Sequence, residues 1–373
     1  MPDGPEGGDK LVEVNGMSEI ERCAACGAPS RFVDNHLWLA GGVIVQASDR
    51  EHRMVLIESD NLDPLFKGVE GIIGVPLERI IIETKRRASR QYIDRIIPPQ
   101  VKEGLRKKEI GLDPLIEAVN VISFVMGYGK SSLIGYRYEA DDDDYIAQRI
   151  EQPYSIPLWC GDFAGSTEAV TGRDNDVTYE QPEDDAIEVT CRPAEHPPQF
   201  QGRLDIRKPR FTESGIELER CGSCGGPALL STLEWDTERG LITSKTTGRR
   251  MAMLGSAYLE VIFDELEREL GEDIPRAVVE TQRRFALGGL YSSKEAAEEG
   301  SFREQLALRG LGDLREIRLE EGTLRMTLRN AALHLLMVGL MQGYYESVTG
   351  QDSEVEWELS EEGDLELEVR HRS

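Results

Sequence analysis

A nine-residue phrase occurs twice in this chain, and the repetition limits the folds that the chain can adopt. It reads ERCAACGAP from Glu21 to Pro29 and ERCGSCGGP from Glu219 to Pro227. Each occurrence contains a Cys-x-x-Cys pair followed by glycine, a turn that offers two thiolates to one metal ion. Such self-similarity is the sign of an internal repeat, so we expect the fold to contain the same small unit twice.

The similarity between the two parts of the chain extends well beyond the cysteines. The segment LFKGVEGIIGVPLERIIIETKRR aligns without gaps on IFDELERELGEDIPRAVVETQRR, GYGKSSLIGYRYE on GLGDLREIRLEEG, and EAVTGRDNDV on ESVTGQDSEV. These matches indicate a tandem duplication, with a first copy over residues 17–193 and a second over residues 215–373. The Pro-rich, polar residues 194–214 are predicted to be a linker, and residues 1–16, rich in Gly, Pro and Asp, to be disordered.

Each copy has the same predicted order of elements, which indicates an α+β fold. A Cys-x-x-Cys knuckle leads into a β-hairpin, helices follow, and an antiparallel sheet with one packed helix closes the copy. In that last helix two glycines lie four residues apart and share one face: Gly161 and Gly165 in the first copy, Gly339 and Gly343 in the second. We expect the two copies to be related by an approximate twofold axis, so that one chain imitates a homodimer.

The net charge of the chain limits the classes of partner that we expect it to bind. It has 43 Lys and Arg residues against 69 Asp and Glu residues, a formal net charge of -26. Such a surface repels phosphate backbones and anionic membranes, so we expect neither nucleic-acid nor membrane binding. No apolar run approaches the ~20 residues of a membrane span, and the polar N-terminus has no signal-peptide pattern. Together with cysteines that stand mostly in Cys-x-x-Cys pairs, this predicts a cytoplasmic protein.

The cysteine pairs predict one structural zinc site shared by the two copies. A structural site needs four thiolate or imidazole ligands, and each copy supplies two: Cys23 and Cys26 in the first, Cys221 and Cys224 in the second. Zinc shared across a homodimer, two unpaired knuckles and a redox dithiol are the alternatives, although no helix follows either pair at once to lower a thiolate pKa. His36 is a possible third ligand in the first copy, but the second copy has no counterpart.

The last part of each copy has a distinctive order of glycines and strands. A Gly-aromatic-Gly start of a strand pair is followed by a glycine-bearing helix that ends in EAVTG and by two closing strands. This order resembles the 4-vinyl reductase-like domain family, whose relatives include the haem nitric-oxide-binding domain and Golgi transport-particle subunits. The resemblance covers residues 127–191 and 310–369 best. It implies an α/β domain, often dimeric, that encloses an apolar ligand pocket and serves in sensing small aromatic molecules or in tetrapyrrole-related contexts.

Two departures from that family concern metals. Many members end in a Cys-rich hairpin pattern that can hold zinc, whereas the corresponding stretches here read TYEQPEDDAIEVTC and EWELSEEGDLELEV. Haem ligation is not supported either, because none of the five histidines has a histidine counterpart in the other copy: His36, His52, His196, His334 and His371.

Two further sets of residues are candidate sites. Large apolar side chains near the sheet–helix junction of the first copy are candidate pocket residues, although core packing explains them equally well: Phe124, Met126, Tyr136, Trp159 and Phe163. An arginine pair that recurs in both copies is a possible anion clamp: Arg86, Arg87, Arg283 and Arg284. The alternative for these arginines is an ion pair on the helix surface with the glutamate three or four residues before.

The absence of a recurring catalytic set favours a binding function. No Ser-His-Asp arrangement, metal-plus-base motif or catalytic carboxylate pair recurs between the copies. The sequence therefore predicts a non-catalytic sensory or assembly protein that binds a small apolar, aromatic or tetrapyrrole-like molecule. The alternative, suggested only by the family's name, is an accessory or reductase-type enzyme component in tetrapyrrole or aromatic-compound metabolism. A protein partner or a homodimer is compatible with both.

Overall fold

A computed structural model describes residues 20–196, 204–288 and 299–372 of the chain. Within these ranges the protein is a mixed α+β structure with three antiparallel sheets. The predicted disordered residues 1–16 lie outside the described residues, as does the middle of the predicted linker. None of the described helices is long and apolar enough to cross a membrane.

The first half of the chain arranges its strands and helices in successive groups. Helix α6 shows how the sequence sets the bounds of an element: the Ser155 hydroxyl accepts a hydrogen bond from the N–H of Leu158, and the helix ends at Gly172, whose φ of 72° suits glycine. In chain order the elements are α1 Ser30–Asp34, β1 His36–Leu39, β2 Val43–Gln46, β3 Asp49–Glu58, a 3-10 turn Ser59–Asn61, α2 Leu62–Ile73, α3 Glu78–Ile96, α4 Pro99–Arg106, α5 Asp113–Met126, β4 Lys130–Arg137, β5 Tyr145–Glu151, α6 Ile156–Thr171, β6 Asn175–Glu183 and β7 Ala186–Pro193.

The second half follows a similar order. Its last strand alternates buried with more exposed side chains, because Leu365, Leu367 and Val369 are all buried on one face. In chain order the elements are a 3-10 turn Ala228–Thr232, β8 Leu233–Asp236, β9 Leu241–Ser244, β10 Arg250–Gly255, α7 Ser256–Leu270, α8 Ile274–Leu287, α9 Glu299–Leu308, β11 Asp313–Glu320, β12 Thr323–Arg329, α10 His334–Thr349, β13 Ser353–Leu359 and β14 Leu365–His371.

One sheet is built from both halves of the chain. Its strand order is β1-β2-β3-β10-β9-β8, the sheet is curled, and Leu56 of β3 pairs with Met253 of β10. Each half also has a four-stranded sheet of its own, ordered β4-β5-β7-β6 in the first and β11-β12-β14-β13 in the second. In both of these sheets the four strands lie side by side in the same order, which is first, second, fourth and third along the chain.

The glycine-bearing helices pack closely against the arginine-bearing helices. Helix α6 crosses α3 and helix α10 crosses α8. A Cβ atom on Gly165 would lie 2.7 Å from the backbone nitrogen of Arg90, and one on Gly343 would lie 2.7 Å from the carbonyl oxygen of Arg283. Only a residue without a side chain permits these approaches, so the four-residue spacing of the glycines positions the two helix pairs.

Replacing Gly165 with alanine is expected to destabilise the protein by about 2 kcal/mol, because the added methyl group would press on the α3 backbone and on the Cβ of Ser89. Urea denaturation followed by circular dichroism measures the change. Gly71 provides the matched control, because it is also helical but has no atom within 4 Å of an added Cβ. Its replacement with alanine should stabilise the protein by about 0.5 kcal/mol. Equal effects at the two positions would contradict the close helix contact.

The hydrophobic core is continuous between the two halves. The largest cluster of buried side chains includes Leu65 and Phe66 of α2 together with Ile262 and Phe263 of α7. A second cluster lies under the Cys-x-x-Cys phrases and contains Trp38 and Trp235 among other residues. The two halves therefore share buried surface at the centre of the six-stranded sheet and beside the cysteines.

Candidate metal centre and apolar cavity

Each repeated phrase folds into the same tight knuckle. The N–H of Gly27 donates to the carbonyl of Cys23 over 2.8 Å, and the N–H of Gly225 donates to the carbonyl of Cys221 over 2.9 Å. Both glycines have a positive φ, 78° and 74°, which a residue with a side chain rarely adopts. The glycine after each cysteine pair is therefore the residue that lets the turn close and directs both sulfur atoms to the same side.

The two knuckles bring four sulfur atoms together. The Sγ atoms of Cys23 and Cys221 are 3.7 Å apart, and those of Cys26 and Cys224 are 3.6 Å apart. All four lie within 4.8 Å of one another. In a tetrahedral zinc site with Zn–S bonds of about 2.3 Å, neighbouring sulfurs are about 3.8 Å apart. The donor set and its spacing fit a divalent metal that prefers thiolates.

The surroundings shift the pKa values of the two cysteines of each pair in opposite directions. Backbone N–H groups, first that of Cys26, together with the Ser223 side chain lower the pKa of Cys23 to about 6. Burial raises the pKa of Cys26 to about 12. The second pair repeats the pattern, because backbone N–H groups lower the pKa of Cys221 and burial raises that of Cys224. A cation at the centre would offset the burial of the second thiolate of each pair, since a coordinating thiol is deprotonated.

Aromatic side chains from both halves pack beneath the cysteines. The Phe32 ring meets the Trp235 ring edge to face with centroids 5.3 Å apart and lies 6.0 Å from the Trp38 ring. The guanidinium of Arg220 donates to the carbonyl of Trp38 over 2.6 Å, which links the second knuckle to the first hairpin. These contacts hold the knuckles side by side, so the site is built by packing as well as by any metal.

His36 does not lie with the four cysteines. Its Nδ1 is 2.6 Å from the carbonyl oxygen of Phe32, and its ring packs between Phe32 and Trp38. Burial lowers the pKa of His36 to about 4, so the ring is neutral at pH 7. Its place in the structure is in the aromatic layer under the knuckles.

The arginines of the possible anion clamp all contact carboxylates. Arg86 is buried and donates to Glu83 on its own helix and to both oxygens of Glu168 on α6, over 2.8 and 3.0 Å. The other three arginines pair in the same manner: Arg87 with Glu265, Arg283 with Glu280 and Glu346, and Arg284 with Glu280. An added anion would have to compete with these carboxylates.

A second group of possible metal ligands lies at the same ion-pair network. Oxygen and nitrogen atoms of Glu168, Asp174 and His196 lie within 4.8 Å of one another. However, Glu168 is already paired with Arg86 and Arg90, and Arg90 also contacts Asp174 over 2.6 Å. These cations compensate the carboxylate charges, so the group offers a metal ion little net attraction.

The five predicted pocket residues are distributed over the cores of the protein. Trp159 and Phe163 belong to the large core cluster, against which Tyr136 packs, and Met126 belongs to the cluster under the knuckles. Phe124 is buried near Gly240. The structure therefore does not bring these five side chains together around one space.

An apolar cavity of about 110 Å³ lies instead between the two halves. The first half contributes the end of β3 and the start of α2, and the second half contributes α8, α9 and α10. The Arg309 guanidinium closes one side by pairing with Glu58 and donating to the carbonyl of Leu56 over 3.0 Å. Most of the wall is aliphatic, with Leu56, Leu62, Leu65, Leu306, Met337 and Met341 among the lining residues.

Sequence reasoning missed this cavity, although the alignment of the two copies contained a signal. In the glycine-bearing helix, Trp159 and Phe163 of the segment LWCGDFAG correspond to Met337 and Met341 of LMVGLMQG. Two of the five predicted residues, Trp159 and Phe163, thus align with residues of the cavity wall. A large apolar side chain is equally compatible with a pocket and a filled core, and it is the more flexible Met337 and Met341 that line the space.

Comparison with known proteins gives no independent assignment of the metal centre or the cavity. The chain matches no protein-family model and no curated protein.

Proposed function

We propose that this chain is a non-catalytic binding protein in which two similar lobes enclose a small apolar molecule and share one structural zinc. The proposed binding of a small molecule rests on the cavity between the halves. An apolar space of this kind, bounded by residues from both halves, favours a hydrophobic occupant. The four cysteines supply the means of holding the lobes together.

The pairing of the central strands supports the twofold relation between the lobes. Continued upstream without a gap from Leu65 and Ile262, the alignment makes Leu56 and Met253 counterparts, and these two residues pair with each other across β3 and β10. On either side, Met54 pairs with Gly255 and Glu58 pairs with Met251. A residue that faces its own counterpart in an antiparallel pair is what a local twofold axis through that pair predicts.

Contacts away from the central strands repeat the same relation. Cys23 faces its counterpart Cys221, and Cys26 faces its counterpart Cys224. Helix α2 packs on α8, and the corresponding pair, α7 and α3, also pack together. Reciprocal contacts of this type are those of an isologous interface, which supports a single chain that imitates a homodimer.

Zinc is the metal that the site favours. Four cysteine ligands in two Cys-x-x-Cys turns are typical of structural zinc centres, which have no open position for a substrate. Binding to a site made by both halves would contribute directly to the free energy of folding. The proposed role of the metal is to fix the N-terminal hairpins of the lobes against each other.

The size of the cavity favours a compact ligand over a tetrapyrrole. Its volume of about 110 Å³ is close to the roughly 150 Å³ of an engineered cavity that binds benzene. Pockets for drug-sized molecules occupy about 300–1,000 Å³. A single ring or a short branched hydrocarbon is therefore the class of molecule that the space accommodates.

Native mass spectrometry of the full chain tests both parts of the proposal. We expect one zinc per chain and one small apolar molecule that is retained under gentle ionisation. Denaturing mass spectrometry of the same sample identifies the released molecule. A chain that carries neither metal nor small molecule, after purification from cells supplied with zinc, would contradict the proposal. A ligand that changes chemically when a hydride donor is added would favour the reductase-type alternative.

A further inference from the structure

The two halves differ in the side chains around the space that forms the cavity. In the second half Leu311 and Ala332 line it. The alignment of GLG with GYG and of NAAL with QPYS places Tyr128 and Tyr154 at the corresponding positions of the first half. The backbone geometry agrees with this correspondence, since the N–H of Tyr154 donates to the carbonyl of Tyr128 over 3.2 Å and the N–H of Ala332 to the carbonyl of Leu311 over 3.1 Å.

The tyrosines of the first half form a packed pair. Their rings stack with centroids 4.5 Å apart and an angle of 30° between their planes. Tyr154 is almost completely buried, and its hydroxyl donates to Asp162 over 2.6 Å. The neighbouring Trp159 and Phe163 are buried as well. The first half thus places aromatic rings where the second half has Leu311, Ala332, Met337 and Met341.

Resting on the proposed function, we infer that the ligand binds on the second-half side of this cavity, in the space that corresponds to the one filled by the Tyr154 ring in the first half, and that it is an apolar molecule with one aromatic ring. Ala332 is shorter than Tyr154 by one phenol ring, which sets the size of the missing group. The cavity volume of about 110 Å³ is of that order. In the first half the Tyr154 side chain supplies this ring, and in the second half a bound ligand would supply it.

The surroundings of the missing ring favour a ligand without a hydroxyl group at its far end. The Tyr154 hydroxyl is satisfied by Asp162, whose counterpart in the alignment is Leu340. Leu340 lines the cavity. A hydroxyl pointing there would meet an aliphatic side chain and would lose its hydrogen bonds to water. A hydrocarbon ring loses nothing on entering the same space.

Titration calorimetry of the full chain with toluene and with p-cresol tests this inference. The two probes have the same ring and methyl group and differ only in the hydroxyl. We expect toluene to bind at one site per chain and p-cresol to bind at least ten times more weakly. Tighter binding of p-cresol would overturn the apolar class, and a chain that binds no toluene would overturn the single-ring class. If native mass spectrometry also finds no small molecule, the proposed function fails with it.

Exchanging residues between the halves tests where in the protein the ligand binds. Ala332→Phe should fill the space and weaken toluene binding at least tenfold without loss of zinc, and Met337→Trp should do the same from another wall. Ala332→Ser is the matched control and should keep the affinity within about threefold, because it leaves the space open. Tyr154→Ala should create a second toluene site in the first half. Toluene binding that is unchanged in the folded Ala332→Phe and Met337→Trp variants would overturn the location, whatever the outcome at Tyr154.

Discussion

Replacing Cys26 with serine is expected to lower the zinc content from one ion per chain to less than about a tenth. The serine hydroxyl is a poor substitute for a thiolate, and the three remaining sulfurs cannot complete a tetrahedral structural site. Cys224→Ser should have the same effect, because its sulfur lies 3.6 Å from that of Cys26 and belongs to the same site. Structural zinc contributes about 10–16 kcal/mol to the folding of zinc-finger peptides, so the melting temperature should also fall. Inductively coupled plasma mass spectrometry on gel-filtered protein measures the metal.

A cysteine outside the site provides the control for this experiment. Cys160 is fully buried in the large core cluster and is not among the four clustered cysteines. Cys160→Ala removes a thiol and should leave the zinc content at one per chain. Two zinc ions per wild-type chain, or a single-cysteine variant that keeps its full zinc content, would contradict a site shared by the two halves. One zinc per two chains in a stable dimer would place the metal between chains instead.

Replacing Glu168 with glutamine is expected to destabilise the protein by about 3 kcal/mol. The carboxylate is fully buried and accepts hydrogen bonds from Arg86, Arg90 and the N–H of Asn175. The amide keeps the shape but removes the charge, which leaves the buried guanidinium of Arg86 with only part of its compensation. Breaking a buried ion pair by removing one partner costs about 3–5 kcal/mol. Urea denaturation followed by circular dichroism measures the loss.

The second half contains the matched variant. Glu346 pairs with Arg283 as Glu168 pairs with Arg86, but the Arg283 side chain is 20% exposed, against 3% for Arg86. Water reaches the Arg283 pair and weakens it, so Glu346→Gln should cost only about 1 kcal/mol. A cost at Glu346 equal to or greater than that at Glu168 would show that burial of the ion pair does not set its contribution.

Some features of this fold follow from local sequence patterns. Each Cys-x-x-Cys phrase predicts half of the ligands of a four-cysteine site, and the structure brings the four sulfurs to within 4.8 Å of one another. The four-residue spacing of Gly161 and Gly165 predicts a close helix contact, and these glycines lie against α3. In both cases the informative unit is a local pair, two cysteines three residues apart or two glycines four residues apart, and its chemistry is specific, so the pattern alone carries the information.

Other features depend on residues that only the fold brings together. The three-residue spacing predicts an ion pair between Arg86 and Glu83. The second carboxylate that compensates the buried charge of Arg86 is Glu168, which lies on a different helix. The cavity is harder to predict from the sequence, because it exists where the surrounding side chains are too small to fill the space. A buried aromatic residue such as Trp159 has the same sequence signature in a filled core as in a pocket wall. Only the packing of both halves shows which copy leaves space.

The pairing of β3 with β10 has a consequence for the synthesis of the protein. The hydrogen-bonding edge of β3 that meets β10 has no partner until residues 250–255 have left the ribosome. Translation proceeds at roughly 5–20 residues per second, so the delay between the two strands lasts roughly 10–40 seconds. During that time an apolar strand edge is open to pairing with other chains. The nascent first half therefore passes through an interval in which this edge can pair wrongly, and slow translation of residues 59–249 would prolong that interval.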